Sequence, residues 1–185
     1  MTIILPKQIG KEEGEILFQK AKEIDNLKEA KEIAQSLIET LRKYSGVGLA
    51  APQIGISKRI FLIDIKKTER YSEIGKEVKE KIFINPKILE FSKEKNIDFE
   101  GCLSVFYGSL YGKVERANSL KVEYLTLKGK KVVEEIEDPF YARVFQHEFD
   151  HLNGTIFLQR MKKEDFSELI WDEERDIRNL KASPS

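Results

Sequence analysis

The chain has 185 residues, enough for one domain with a sizeable core. Lysine plus arginine and aspartate plus glutamate number 32 each, so no net basic field recruits nucleic acid or an acidic membrane surface. One cysteine cannot form an intramolecular disulfide, and no stretch reaches the roughly 20 apolar residues of a membrane span, so a cytoplasmic protein in a reducing compartment is expected.

Residues 1–6 lack the basic stretch and apolar run of a secretory signal. Residues 10–24 are charged, with Ile16, Leu17 and Ile24 as scattered anchors and no clear period. Asn26 followed by Glu29 has the form of a capping box. Leu27, Ala30, Ile33, Ala34, Leu37, Ile38 and Leu41 then trace one apolar face, which predicts an amphipathic helix ending at Ser45-Gly46.

Residues 46–55 (GVGLAAPQIG) are small enough to let another backbone, or a ligand, approach closely. Their spacing matches neither a dinucleotide nor a phosphate loop, and a tight turn before the next strand is the plain reading. Gln53 is the polar side chain of this stretch; buried, it needs partners and can act as a donor. Residues 59–65 (RIFLIDI) read as a buried strand and residues 66–81 as a charged, mobile loop. Short strands are expected at 82–84 and 88–91 around Asn85-Pro86, and a hairpin pairs 121–127 with 131–136 across Lys128-Gly129-Lys130.

Asp138-Pro139 is a helix start and Asn153-Gly154 a helix stop. Between them Phe140, Val144, His147 and His151 recur at helical spacing, so this helix faces inward. Phe166, Leu169, Ile170, Ile177 and Leu180 mark a last amphipathic helix over about residues 164–181. The whole predicts one α+β domain over residues 1–185: antiparallel sheets surrounding a central helix, with N- and C-terminal helices.

Both histidines of the chain lie in residues 146–151 (QHEFDH), one helical turn apart. On one helix face His147 and His151 can bind one metal ion at two points, and Glu148 stands beside them where a base is needed. A lone histidine on such a face is more often simply buried and hydrogen-bonded; two at this spacing flanking a glutamate favour a metal. A catalytic metal takes three protein ligands and keeps one open position. The longer metalloprotease pattern fails because Phe157 occupies its last position, so the third ligand is a cysteine or a carboxylate. Cys102, in residues 100–104 (EGCLS), offers a thiolate, and a thiolate with two imidazoles suits zinc or ferrous iron.

Three motifs in this order (residues 46–55, 100–104 and 146–154) resemble those of the peptide deformylases. Ile63-Asp64 and Ile84-Asn85-Pro86 support the resemblance, which extends over roughly residues 16–165. It implies a metal-dependent hydrolase that removes the N-formyl group from formylmethionine at the start of nascent chains, releasing formate. It assigns Cys102, His147 and His151 as metal ligands, Glu148 as general base, and Gln53 with the Leu103 N–H as oxyanion donors. Gly48 and Gly101 fall in the segments that bind the peptide as an added strand, and Val47, Phe140 and Val144 are candidates for the methionine pocket.

The resemblance implies one divalent ion, ferrous iron in the cell, although zinc, nickel or cobalt suit the same donors. The implied partners are N-formylmethionyl nascent peptides; neither nucleic acid nor membrane is implied, and nothing demands more than a monomer. Glu173, Glu174, Arg175 and Arg178 read as a solvated surface, with transient ribosome contact as the alternative. Phe106-Tyr107 stands where the family usually has a proline, and the chain is about two residues longer before Arg116. Tyr111 falls where many members have an arginine, and the N-terminal Asp-Pro and Leu-Arg pattern is degraded. Two rival readings are an HExxH peptidase with a different third ligand, and a non-catalytic module with a closed structural metal site.

Overall fold

A computed structural model describes residues 4–44, 46–67 and 75–174. Its regular elements are α1 (Leu27–Tyr44), β1 (Gly48–Ala50), β2 (Ile60–Ile65), β3 (Val78–Phe91), β4 (Lys95–Gly101), β5 (Leu110–Ala117), β6 (Leu120–Leu125), β7 (Lys131–Ile136), α2 (Pro139–Leu152) and β8 (Ile170–Trp171). A five-stranded sheet runs in the order β1-β2-β3-β6-β7 and a three-stranded sheet in the order β4-β5-β8; every pairing is antiparallel.

The expected first helix is α1, with Ala30, Ile33, Ala34, Leu37 and Leu41 on its buried face. Asn26 Oδ1 accepts from Lys28 N at 2.8 Å, but Glu29 turns outward to Lys58 Nζ at 3.0 Å, so only half of a capping box forms. Strand β2 is buried at every position because the larger sheet has a helix on each face. Ile60 and Leu62 pack with the α1 side chains, whereas Phe61, Ile63 and Ile65 pack with Tyr141, Val144 and Phe145 of α2. Phe145 meets Phe61 and Phe83 edge-on, with centroids 5.1 and 5.2 Å apart.

Helix α2 starts as the sequence predicts: Asp138 Oδ1 accepts from Tyr141 N at 2.8 Å and Pro139 opens the first turn. It stops at Asn153, and Gly154 follows with φ of 72°. The hairpin at β6–β7 also forms as expected, closed by Gly129 at φ of 75°.

Several expectations change. The two short strands around Asn85-Pro86 are one strand, β3, kinked rather than broken: Asn85 takes a φ of 47°, and the register shifts between Ile84 and Lys87. The Asn85 amide fixes the kink by accepting from Ile24 N at 2.9 Å and donating to Ile24 O at 2.8 Å. Of the expected mobile loop at 66–81, residues 78–81 already belong to β3 and residues 68–74 lie outside the described residues. Residues 46–55 are a strand and a 3-10 turn, not a turn alone. The expected helix over 164–181 does not begin at 164. Lys163–Glu168 is a 3-10 turn, β8 follows and pairs Trp171 with Leu110, and helical backbone starts only at Glu173; residues 175–185 lie outside the described residues.

The candidate metal centre

Helix α2 presents His147 and His151 toward the loop that leaves β4, and that loop presents Cys102. The three donor atoms lie within 4.8 Å of one another and all three residues are buried. Cys102 Sγ and His151 Nε2 are 3.2 Å apart. A tetrahedral ion at about 2.3 Å from sulfur and about 2.1 Å from nitrogen would hold such a pair about 3.6 Å apart, so the cluster fits one ion after an adjustment of a few tenths of an ångström. The sequence left a cysteine or a carboxylate as third ligand; the fold brings the cysteine to the two rings.

A buried ionic network, which the sequence reading gave no role, orients His147. Its Nδ1 donates to Glu100 Oε2 at 2.9 Å, leaving Nε2 as the nitrogen that could face an ion. Glu100 also accepts from Arg116 Nε at 2.9 Å and Nη2 at 3.0 Å, and from Arg143 Nη1 at 2.9 Å. Burial by itself would raise the Glu100 carboxyl. The hydrogen bonds from His147 and Arg116, and their charges, instead hold it well below the usual carboxylate range. Arg116 reaches on to Asp150 Oδ2 at 2.7 Å, and Asp150 accepts from Arg160 Nη2 at 2.6 Å. A signal for this network existed: Arg143 is a charge on the inward face of α2, one turn before His147.

The two imidazoles differ in their electrostatics. Burial lowers His151 far below its ordinary value, with the nearby positive charges of His147 and Arg116 acting in the same direction. Burial also opposes charge on His147, but hydrogen bonds and charge from Cys102 and Glu100 outweigh it and raise the ring well above its ordinary value.

Glu148 is 3% exposed, and its Oε2 is a buried oxygen with no hydrogen-bond partner. Burial pushes its carboxyl up to about 7, the charge of His147 pulling down and that of Glu100 up. Such a group takes or gives a proton near neutrality. Gly48 is required beside it, because a Cβ there would land on the Glu148 carboxylate. Gln53 is buried with both ends of its amide used: Oε1 accepts from Ala50 N at 2.8 Å, and Nε2 points at Cys102 Sγ and Ser104 Oγ, each 3.4 Å away.

These groups open onto a cleft of about 640 Å³. Val47, Gly48, Gln53, Gly101, Cys102, Leu103, Phe140, Val144, His147 and Glu148 all line it, so every residue singled out from the sequence reaches the cleft except His151, which lies behind at 1% exposure. Tyr111, singled out from the sequence as a departure from the family pattern, lines it as well; Asn96, Asp98 and Arg143 line it too and were not foreseen as wall residues. Gly101 is small because the Tyr111 ring occupies the space a Cβ would need.

Residues 6–167 match the family model described as Polypeptide deformylase. The peptide deformylase of Thermotoga neapolitana is 43% identical over 148 residues, covering 80% of this chain and 82% of that protein. Peptide deformylase 1 of Clostridium perfringens is 40% identical, covering 79% of this chain and 91% of that one. Among solved structures, a class I type b peptide deformylase from Acinetobacter baumannii with Met-Ala-Ser bound superposes with a TM-score of 0.79 at 37% identity, covering 86% of this chain and 99% of that one. The Thermotoga maritima peptide deformylase gives a TM-score of 0.75 at 36% identity, covering 88% and 99%.

Proposed function

The chain belongs to the peptide deformylase family, and from that premise we propose that Cys102, His147 and His151 hold one divalent metal ion with Glu148 as the general base. The enzyme removes the N-formyl group from formylmethionine at the start of newly synthesised proteins, releasing formate. The observation that carries the residue assignment is the convergence of a buried thiol and two imidazole nitrogens within 4.8 Å, beside a buried carboxylate oxygen that has no other partner.

Cys102, His147 and His151 would hold the ion, and once bound it would supply Lewis acidity to water and to the formyl carbonyl. Glu148 takes the proton from the water whose oxygen attacks the formyl carbon, and passes it to the amide nitrogen as the C–N bond breaks. Gln53 Nε2 and the Leu103 N–H donate to the carbonyl oxygen as it gains charge, a contribution whose loss typically costs about 10²–10³-fold in rate. Glu100 keeps His147 in the tautomer and orientation the ion needs.

The peptide enters as an added strand between residues 46–48 and residues 101–103, because main-chain pairing tolerates any downstream side chain. The methionine side chain occupies the pocket walled by Val47, Phe140 and Val144. The metal is ferrous iron in the cell, with zinc, nickel and cobalt as working substitutes, since a thiolate and two imidazoles accept each of them. The site works as a single catalytic domain, acting as a cytoplasmic monomer on nascent chains as they leave the ribosome.

The test is Glu148→Gln measured by formate release from formyl-Met-Ala-Ser, with metal content determined in parallel. The expected result is a full complement of metal and turnover reduced by at least about 10²-fold. Unchanged turnover would remove Glu148 from the role of base. Cys102→Ala separates this reading from an HExxH peptidase, because metal content should collapse here and persist there.

A further inference from the structure

The sulfur of Cys102 accepts from two N–H groups: Gln53 Nε2 and the backbone N of Ser104, each at 3.4 Å. The Ser104 N–H belongs to the planar peptide unit whose other end is the Leu103 carbonyl, so whatever fixes that carbonyl also aims the N–H. The carbonyl is fixed from far away in sequence: Gln8 Nε2 donates to Leu103 O at 2.8 Å. Gln8 is 5% exposed and its own orientation is determined. Nε2 faces a second carbonyl, Pro6 O, at 3.0 Å, and Oε1 accepts from Tyr107 N at 3.1 Å, so a flipped amide would oppose like with like on both sides.

The surrounding backbone reinforces the same grip. Ile9 N donates to Ser104 O at 3.0 Å, and Lys7 N donates to Gln53 O at 2.7 Å. Residues 7–9 thus brace both residues that donate to the sulfur. Two of the places where the sequence departs from the family pattern, the N-terminal segment and Phe106-Tyr107, meet at this one amide. The turn it secures needs securing, since Phe106 and Tyr107 both hold positive φ, 46° and 53°.

We propose that Gln8 is a positioning residue of the metal centre, which holds the Leu103–Ser104 peptide so that the Ser104 N–H stays on the Cys102 sulfur. It acts through the peptide and touches neither substrate nor metal. A hydrogen bond to a ligating sulfur withdraws charge from it; relieved of that donor, the sulfur gives more charge to the ion and dulls its Lewis acidity. The inference rests on Cys102 being a metal ligand.

The test uses the full chain loaded with cobalt(II), whose thiolate charge-transfer absorption reports on the sulfur directly. Gln8→Met keeps the volume and removes the donors. Its band is expected at longer wavelength than in the unsubstituted protein, with kcat for formyl-Met-Ala-Ser down about fivefold, the ratio one hydrogen bond of ordinary net strength supports, and KM unchanged. Thr40→Val is the control. It removes the Thr40 Oγ1 that accepts from Ile4 N at 3.2 Å, loosening the same N-terminal segment away from the sulfur, and its band should stay in place. If Gln8→Met does not accumulate as folded protein, Gln8→Asn, whose amide falls short of Leu103, carries the comparison. A band unmoved in the Gln8 variant, or moved equally by Thr40→Val, would reduce Gln8 to a structural staple. A missing charge-transfer band in the unsubstituted protein would overturn the ligand role of Cys102 itself, a different and distinguishable failure.

Discussion

Glu148 shows how burial sets chemistry one side chain at a time. Its neighbours in the sequence are a metal ligand and Phe149, and its carboxyl lies between α2 and the glycine at position 48. Burial raises it to about 7, and a dication bound alongside would favour the anion and move it down. In the proposed role as base Glu148 must be ionised to accept a proton, so kcat/KM should fall as pH drops below its pKa. An acid limb with its midpoint below about 7 is expected in the pH profile, approaching tenfold per unit, and Glu148→Gln should abolish it along with most turnover. A limb that survives the substitution would belong to another group. The clustering of the two histidines with their glutamate was legible in the sequence because their spacing has a geometric meaning on a helix. Glu100, Arg116 and Arg143 were not, since nothing in linear order says that residues 16, 27 and 43 positions apart share one buried charge cluster. The clue was weaker: a charged side chain on the inward face of α2, one turn before His147.

At the scale of elements, that cluster joins β4, β5 and α2 through Glu100, Arg116 and Arg143. Glu100→Gln leaves two buried guanidinium groups short of a counter-charge, a loss of about 3–5 kcal/mol in urea unfolding. It should also weaken metal affinity about 10–100-fold in chelator competition. The pH dependence carries a sign. The Glu100 carboxyl is depressed in the folded chain, so its stabilising contribution is full above about pH 4.3, where the unfolded group ionises, and drains away as pH falls toward the folded value. Glu100→Gln should flatten that acid loss. Phe145, packed on Phe61 and Phe83, supports the opposite face of α2, and Phe145→Ala should cost about 3–5 kcal/mol by the same unfolding measurement.

The elements that were legible are those whose pattern matches a period: α1, α2, β2 and the β6–β7 hairpin. Strands β4 and β5 escaped because β4 exposes most of its length, with Ile97 and Phe99 outward, and so shows no buried alternation. The bend in β3 looked like a break because Asn85-Pro86 carries a turn signal, which the Ile24 backbone overrides by capping the asparagine amide.

Across the whole molecule, the larger sheet lies between two helices of different purpose. One face takes α1, which is bulk apolar support; the other takes α2, whose far side meets the small sheet and the loop of Cys102. The proposed metal ligands therefore come from two structural units, α2 and the β4 exit loop, and an ion that joined them would be a cross-link as well as a catalyst. Stripping the metal should lower the melting temperature, since an ion held at about a thousand times its dissociation constant contributes about 4 kcal/mol to folding. Calorimetry with and without chelator reads this directly. Among the described residues no helix is long and apolar enough to cross a membrane.

The most direct measurement is X-ray absorption fine structure at the edge of the metal in anaerobically prepared protein. The expected first shell is one sulfur at about 2.3 Å and two imidazole nitrogens at about 2.1 Å, completed by a light oxygen scatterer from solvent. A shell without sulfur, or one closed by a fourth protein ligand, would contradict the assignment of Cys102, His147 and His151 as an open hydrolytic site.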